Sequence, residues 1–378
     1  MGYWQDRKAA QMDAAQMGAD EVIARLESVY KNSYAQTVGY AKQIKRRMAR
    51  RYGLSEADVE RYLSEPCGRE EYLDLLREID KLPIGSEARR TLEAKASSGA
   101  YAYRVSRLEA QKDTIDAMIG QMAAEKERII SSYLMDTAAE QTAQSMFALQ
   151  RQAGVAWSFS GASEGMLRQI IYSDWSGANF SRRIWRDRTA LSGALSEILG
   201  SGLMTGQSIK HMSEMLAYKM GVSYGHAKTL IRTETTHAVV QSDMMAMESA
   251  QIDRSEFVAV LDKKTSDICQ TLDGQIFRRA EAQTGKNLPP MHPNCRSIDA
   301  AYFDDEDYKR LTRMSRDPVT GETIKVPRTI KYRDWINLQR DRYGNEAIDK
   351  AVSDAKRAQQ KEAAARRMRE RRERANNG

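Results

Sequence analysis

Cys269, His292 and Cys295 carry the side chains with the clearest capacity for chemistry in this sequence. Thiolate sulfur and imidazole nitrogen are zinc-type donors, and the His-x-x-Cys spacing of His292 and Cys295 lets one turn aim both at the same ion. Two of the chain's three cysteines lie in this segment, together with Pro289, Pro290 and Pro293, which stiffen the loop presenting His292 and Cys295. A closed tetrahedral site needs a fourth ligand. Asp267, Asp262 or His237 could supply it, and we group Asp267 with the trio as a structural zinc site. Three ligands with water in an open fourth position would make a catalytic zinc instead. The metal-free alternative is a buried cysteine pair beside a histidine that hydrogen-bonds the loop backbone.

A second set of residues reads as structural. Arg232-Thr233-Glu234 sits on a helix, and Arg232 and Glu234 suit an intramolecular lock onto Asp262, Asp273 or Arg296. A buried pair of that kind speaks for specificity more than for net stability. Asp273-Gly274 is a turn in which Gly274 supplies a positive φ. His211 and His226 show no partner pattern, and Cys67 stands alone in a turn.

Several elements must position these groups. Apolar residues recur at helical spacing from Ile23 to Met48, and Gly53 stops that helix. Ser55 restarts a short helix, and another covers Arg69 to Lys81. Ser86 caps a long helix to about Gln150, whose Leu108, Ile115, Met122 and Ile129 form a seven-residue repeat suited to packing on another long helix. Val155–Phe159 alternates as a strand. Helices are expected over Ser163–Ile171 and Phe180–Leu199, with Gly200–Gly206 as a flexible corner. Ser208 caps a helix to about Met220, and Ser223 or Tyr224 opens the next, to about Ala250. Strands follow at Phe257–Leu261, Gly274–Phe277 and Arg296–Phe303. Trp157, Trp175 and Trp185 are expected core anchors, and Trp335 docks the segment leading to the tail.

The fold class is therefore α+β, mostly α. A long-helix assembly over 1–153 precedes a small α+β domain with a short antiparallel sheet over 154–305, and a linker with a basic C-terminal helix or tail covers 306–378. At 378 residues the chain is long enough to bury a real core. Charged residues at 29% and aromatics at 7% favour helix-rich architecture over a sandwich or barrel. No run approaches the roughly 18–20 apolar residues needed to span a bilayer. With three cysteines and no visible secretory signal, a reducing compartment is expected. Of the net charge of +7, a surplus of six lies between Lys356 and Arg374. Arg366, Arg367, Arg369, Arg371, Arg372 and Arg374 read either as a solvated helical face or as an arm on nucleic-acid backbone.

The ordered set Arg232-Thr233-Glu234, Thr265-Ser266-Asp267-Ile268-Cys269 to Leu272-Asp273-Gly274, and Pro289-Pro290-Met291-His292-Pro293-Asn294-Cys295-Arg296 resembles the phage Mu F-like minor head proteins. The resemblance covers roughly Asp174 to Phe303. It implies a virion component made in the host cytoplasm, inside the phage head near the portal, needed for head assembly or DNA packaging. The implied partners are the portal protein and the major capsid protein, with packaged DNA reached by the basic tail; no membrane and no small-molecule substrate are implied. Many members carry a further cysteine three residues before the position of Cys269, and here Ser266 stands in that place. The competing class is a virion-borne enzyme, a metal-dependent hydrolase or nuclease, or an ADP-ribosyltransferase. Arginine, a Ser-Thr-Ser strand and a catalytic glutamate define the transferases, and the chain lacks both the Ser-Thr-Ser strand and a Glu-x-Glu after its strands. A non-enzymatic head protein is the expectation.

Overall fold

The computed structural model describes residues 3–52, 55, 77–84, 86, 88–89, 100–153, 161–204, 207–303, 312–327, 329–358 and 361. The helices expected between Ser55 and about 76, the strand at Val155–Phe159, Cys67, Trp157 and the arginines from Arg366 to Arg374 lie outside them. The chain is mostly α with a small antiparallel sheet. It divides into two compact units. One comprises Met1–Ile23, Ile129–Ser181 and Ala227–Gly378; the other comprises Ala24–Arg128 and Arg182–His226. Among the described residues no helix is long and apolar enough to cross a membrane.

Helix α1 (Tyr3–Tyr52) ends where Gly53 follows, and α2 spans Ala100–Ala153. Of the seven-residue repeat, Ile115, Met122 and Ile129 are buried. Ser163 accepts a hydrogen bond from Met166 N and so caps α3 (Glu164–Ile171). Helix α4 (Phe180–Met204) runs through Gly200 and Gly202, where a corner was expected. Ser208 begins α5 (Ile209–Ser249), accepting from His211 N, but the helix continues past Gly221 as one rod where two helices were expected. A glycine costs a helix only on the order of 1 kcal/mol relative to alanine, and burial of residues such as Met212, Leu216, Met220 and Ala227 outweighs it.

Three strands follow, in the order β2-β1-β3 and all antiparallel: β1 (Arg254–Val258), β2 (Ile276–Arg278) and β3 (Ile298–Ala301). Arg254 faces Arg278, and Val258 faces Ile298. The central strand lies earlier than the expected Phe257–Leu261, for a specific reason. Ala259 N donates to the Asp273 carboxylate at 2.9 Å, and Arg313 claims the Ala259 carbonyl, so side chains end the ladder there. Between β1 and β2 lies a short helix, α6 (Asp267–Leu272), capped by Ser266.

A second, two-stranded sheet falls in the region expected to be linker. Strands β4 (Thr312–Arg316) and β5 (Thr323–Pro327) pair antiparallel, with Arg316 facing Thr323. Asp317 holds the turn, accepting from Val319 N and Thr320 N at 2.9 Å each. The hairpin is tied to the segment just after β1 through Arg316 N, which donates to the Leu261 carbonyl at 2.8 Å. Leu261, Val326, Tyr332 and fully buried Trp335 form a cluster that seats α7 (Tyr332–Tyr343), and a further helical stretch covers 345–358. Trp335 is thus the anchor expected of it. Trp185 is not a core anchor: it is 40% exposed, and its indole N–H donates to Glu127 at 2.8 Å.

Candidate functional site

The site forms where α6, the loop before β3 and the middle of α5 meet. Ser266 takes the extended conformation of an N-cap (φ −68°, ψ 153°), and its hydroxyl accepts from Cys269 N at 3.4 Å. That cap fixes Cys269 on the inner side of the first turn of α6, where it is buried. Across from it, the His292–Cys295 turn closes with Cys295 N donating to the His292 carbonyl at 3.0 Å. Asn294 sits in the left-handed region (φ 59°), which Asn tolerates better than most residues.

Two threonines of α5 hold this turn in place. Thr236 Oγ1 donates to the Cys295 carbonyl at 2.6 Å, and Asn294 N donates to Thr233 Oγ1 at 3.0 Å. Both hydroxyls project from the segment that contains Arg232-Thr233-Glu234, three residues apart and so on one helical face. Sequence reasoning passed over them. The available signal was the spacing of two hydroxyls beside the motif.

The cluster itself is tight. Cys269 Sγ lies 3.5 Å from His292 Nε2 and 3.8 Å from Cys295 Sγ, and the three donor atoms all lie within 4.8 Å of one another. Ser266 Oγ lies 2.9 Å from His292 Nε2. His292 Nδ1 lies 3.0 Å from the Pro293 carbonyl, and a carbonyl oxygen only accepts, so Nδ1 carries a proton and Nε2 faces the sulfurs. Phe257, Ala259, Leu272, Phe277 and Met291 make an apolar wall around the two thiols. The Cys269 thiol hydrogen-bonds Cys295 and holds it well below the usual thiol range, while the same contact and burial push Cys269 up. The bond to Cys295 also raises His292. The chemistry available is that of a thiolate–imidazole pair or of a soft-metal donor set.

Asp267 stands apart from these donors. As the first residue of α6 it points to solvent, and Lys356 Nζ contacts its carboxylate at 3.1 Å. Asp262 is engaged by Arg296 through two hydrogen bonds of 2.7 and 3.0 Å and by Lys264 N. His237 is buried and stacks on Trp175 with ring centroids 4.9 Å apart, and burial pushes its imidazole down to about 3.

The locks connect differently from the pairing expected. Arg232 is exposed and pairs with Asp20 at 2.6 Å. Glu234 is buried and accepts from Trp175 Nε1 at 3.1 Å. The Asp262–Arg296 pair ties the end of the β1 segment to the residue after Cys295. Asp273 accepts from Ala259 N, from both terminal nitrogens of Arg313 and from Tyr332 N, all within 3.1 Å. Gly274 adopts φ +72°, and a side chain there would press on Lys331 at 3.2 Å.

With this geometry in hand, comparison with known proteins gives two findings. Residues 194–298 match the family described as Phage Mu protein F like protein, so this stretch, which contains Ser266, Cys269, His292 and Cys295, is phage Mu F-like. The chain is also 22% identical, over 189 residues, to the NAD(+)–arginine ADP-ribosyltransferase EFV of Enterococcus faecalis (strain ATCC 700802 / V583). The match covers 49% of this chain and 39% of that protein, so the chain spans about two-fifths of the relative's length. No solved structure matches the chain.

Proposed function

We propose that the chain is a structural minor head protein of a tailed phage, acting inside the head beside the portal during head assembly or DNA packaging. The observation that carries this reading is the phage Mu F-like span of residues 194–298. The packing of that span agrees with a rigid docking module. Its charged motif residues Asp262, Asp273 and Arg296 are spent on intramolecular bonds, and Thr233 and Thr236 brace the loop. Co-expression with the portal and major capsid proteins of the same phage tests the proposal. Co-purification with the portal, and loss of filled heads when the gene is deleted, are the expected results. Normal filled heads without the protein would overturn it.

A second reading rests on the similarity to an arginine ADP-ribosyltransferase. In that case the full chain would transfer ADP-ribose from NAD(+) to arginine side chains. Incubation with labelled NAD(+) and an arginine-rich acceptor decides between the two: label on the acceptor favours the enzyme, and its absence favours the head protein.

A further inference from the structure

We propose that Cys269, His292 and Cys295 bind one zinc ion, and that Ser266 flanks its fourth corner, as a weak ligand or as the holder of a water there. The argument is geometric. Zn–S bonds of about 2.3 Å and Zn–N bonds of about 2.0–2.1 Å define a tetrahedron with edges of about 3.8 Å between sulfurs and about 3.5–3.6 Å between sulfur and nitrogen. The Cys269 Sγ to Cys295 Sγ distance is 3.8 Å, and Cys269 Sγ to His292 Nε2 is 3.5 Å. A disulfide would bring the sulfurs to about 2.05 Å, so the pair stands at the separation of two ligands on one ion.

The surroundings are those of a built metal site. The carbonyl of Pro293 accepts a hydrogen bond from His292 Nδ1–H, which orients the ring with Nε2 toward the sulfurs, as outer carbonyls do for metal-bound histidines. Both thiols are 0–1% exposed inside the apolar wall, which excludes competing water. The Cys269 and Cys295 backbones are fixed by the Ser266 cap and by Thr236, so the donors converge without rearrangement.

Ser266 Oγ is on the His292 side of the cluster, in the same capping turn as Cys269 and 2.9 Å from Nε2. This is a hydrogen-bond distance, shorter than the about 3.4 Å oxygen–nitrogen edge of a zinc tetrahedron, so ligation by Oγ requires the hydroxyl to turn away from Nε2. A neutral hydroxyl is a poorer zinc ligand than thiolate. The site is therefore a Cys2His set with a weak oxygen corner, filled by Ser266 Oγ or by a water that it holds. Exchange of ligand at that corner is faster than in an all-protein four-ligand site. The site is independent of the assembly role: a chain that binds zinc but ignores the portal would remove the head-protein reading and leave the metal intact.

Cobalt titration of the full chain, purified in reductant and stripped with chelator, provides the test. One tetrahedral Co(II) per chain, displaced by equimolar Zn(II), with the sulfur-to-cobalt absorption of two thiolates, is expected. Cys269→Ser and Cys295→Ser should each remove about half of that absorption and weaken binding about tenfold or more. Ser266→Cys should add a third thiolate's absorption and tighten binding about tenfold, a gain that no folding defect can mimic. Asp267→Asn should change neither. A wild-type chain that gives no tetrahedral cobalt spectrum in reductant overturns the proposal. So does a Ser266→Cys chain whose third sulfur stays off the metal.

Discussion

The hydroxyl of Thr236 donates to the main-chain carbonyl of Cys295 at 2.6 Å, with both residues fully buried. The bond joins a helix to a turn 59 residues away, so the position of the Cys295 sulfur is set by α5 as much as by its own loop. Replacing Thr236 with valine preserves shape and removes the donor. The Cys295 carbonyl then loses this buried hydrogen bond, which costs about 1–3 kcal/mol. Urea unfolding should show that loss at the midpoint with an unchanged slope. Thr236→Ser should recover most of it, and a Thr236→Val chain as stable as wild type would show that the turn holds itself.

Asp273 is a buried carboxylate with four hydrogen-bond donors around it. It satisfies Ala259 N, Tyr332 N and both terminal nitrogens of Arg313, whose side chain is 3% exposed. Asp273→Ala leaves a buried guanidinium without its counter-charge, a change that costs about 3–5 kcal/mol. The β4–β5 hairpin and α7 should lose amide-exchange protection together, because Arg313 and Tyr332 N share the Asp273 carboxylate. Protection of β4 retained in the variant would contradict that coupling. The double change Asp273→Ala with Arg313→Met should recover part of the loss.

Asp299 on β3 supplies a pH prediction. It is 1% exposed and lines a cavity with Lys8, Ser145 and Asp243. Burial pushes its carboxyl well above the usual range; a hydrogen bond from Ser255 and the charge of Lys8 oppose the rise, and Asp243 and Glu256 add to it. The folded state thus keeps a proton that the unfolded chain releases near pH ~4. Its stabilising contribution is whole below that pH and disappears as pH rises through the folded pKa, with a slope of at most about 1.4 kcal/mol per pH unit. Asp299→Asn should flatten that part of the stability curve. A wild-type curve that rises over the same interval, and an asparagine variant parallel to it, would be inconsistent with a protonated Asp299.

How much of this was legible depends on whether the signal was local. The His-x-x-Cys spacing and the prolines around it pointed to convergence of Cys269, His292 and Cys295, because a turn brings near neighbours together. The positive φ at Gly274 was legible for the same reason. Partners distant in sequence were not: Arg232 meets Asp20, and Asp273 meets Arg313, through tertiary packing that leaves no periodic trace. Glycine signals misled at Gly202 and Gly221, where burial overrode a small local penalty. The β4–β5 hairpin did leave a trace, since Thr323-Ile324-Lys325-Val326 alternates and Gly321 closes the turn at φ +78°. Its short length and high charge concealed it. Arg366 to Arg374 lie outside the described residues, and the expectation for them rests on charge.

The surplus positive charge between Lys356 and Arg374 carries the last prediction. If Arg366, Arg367, Arg369, Arg371, Arg372 and Arg374 bind packaged DNA, they do so through phosphate and read no base information. A chain truncated after residue 358 should then bind every duplex sequence more weakly by the same factor. Its logarithmic salt dependence should be shallower by about 0.9 for each phosphate that the arm no longer neutralises. Melting of the rest of the chain should not change, because no periodic apolar stripe past Val352 ties the arm to a core. The opposing arrangement docks the arm on an acidic face of the portal, and the same truncation separates the two. Loss of portal co-purification with DNA binding intact assigns the arm to the portal, whereas weakened DNA binding with a reduced salt slope assigns it to phosphate. A truncated chain unaltered in both respects is one whose arginines serve only solvation.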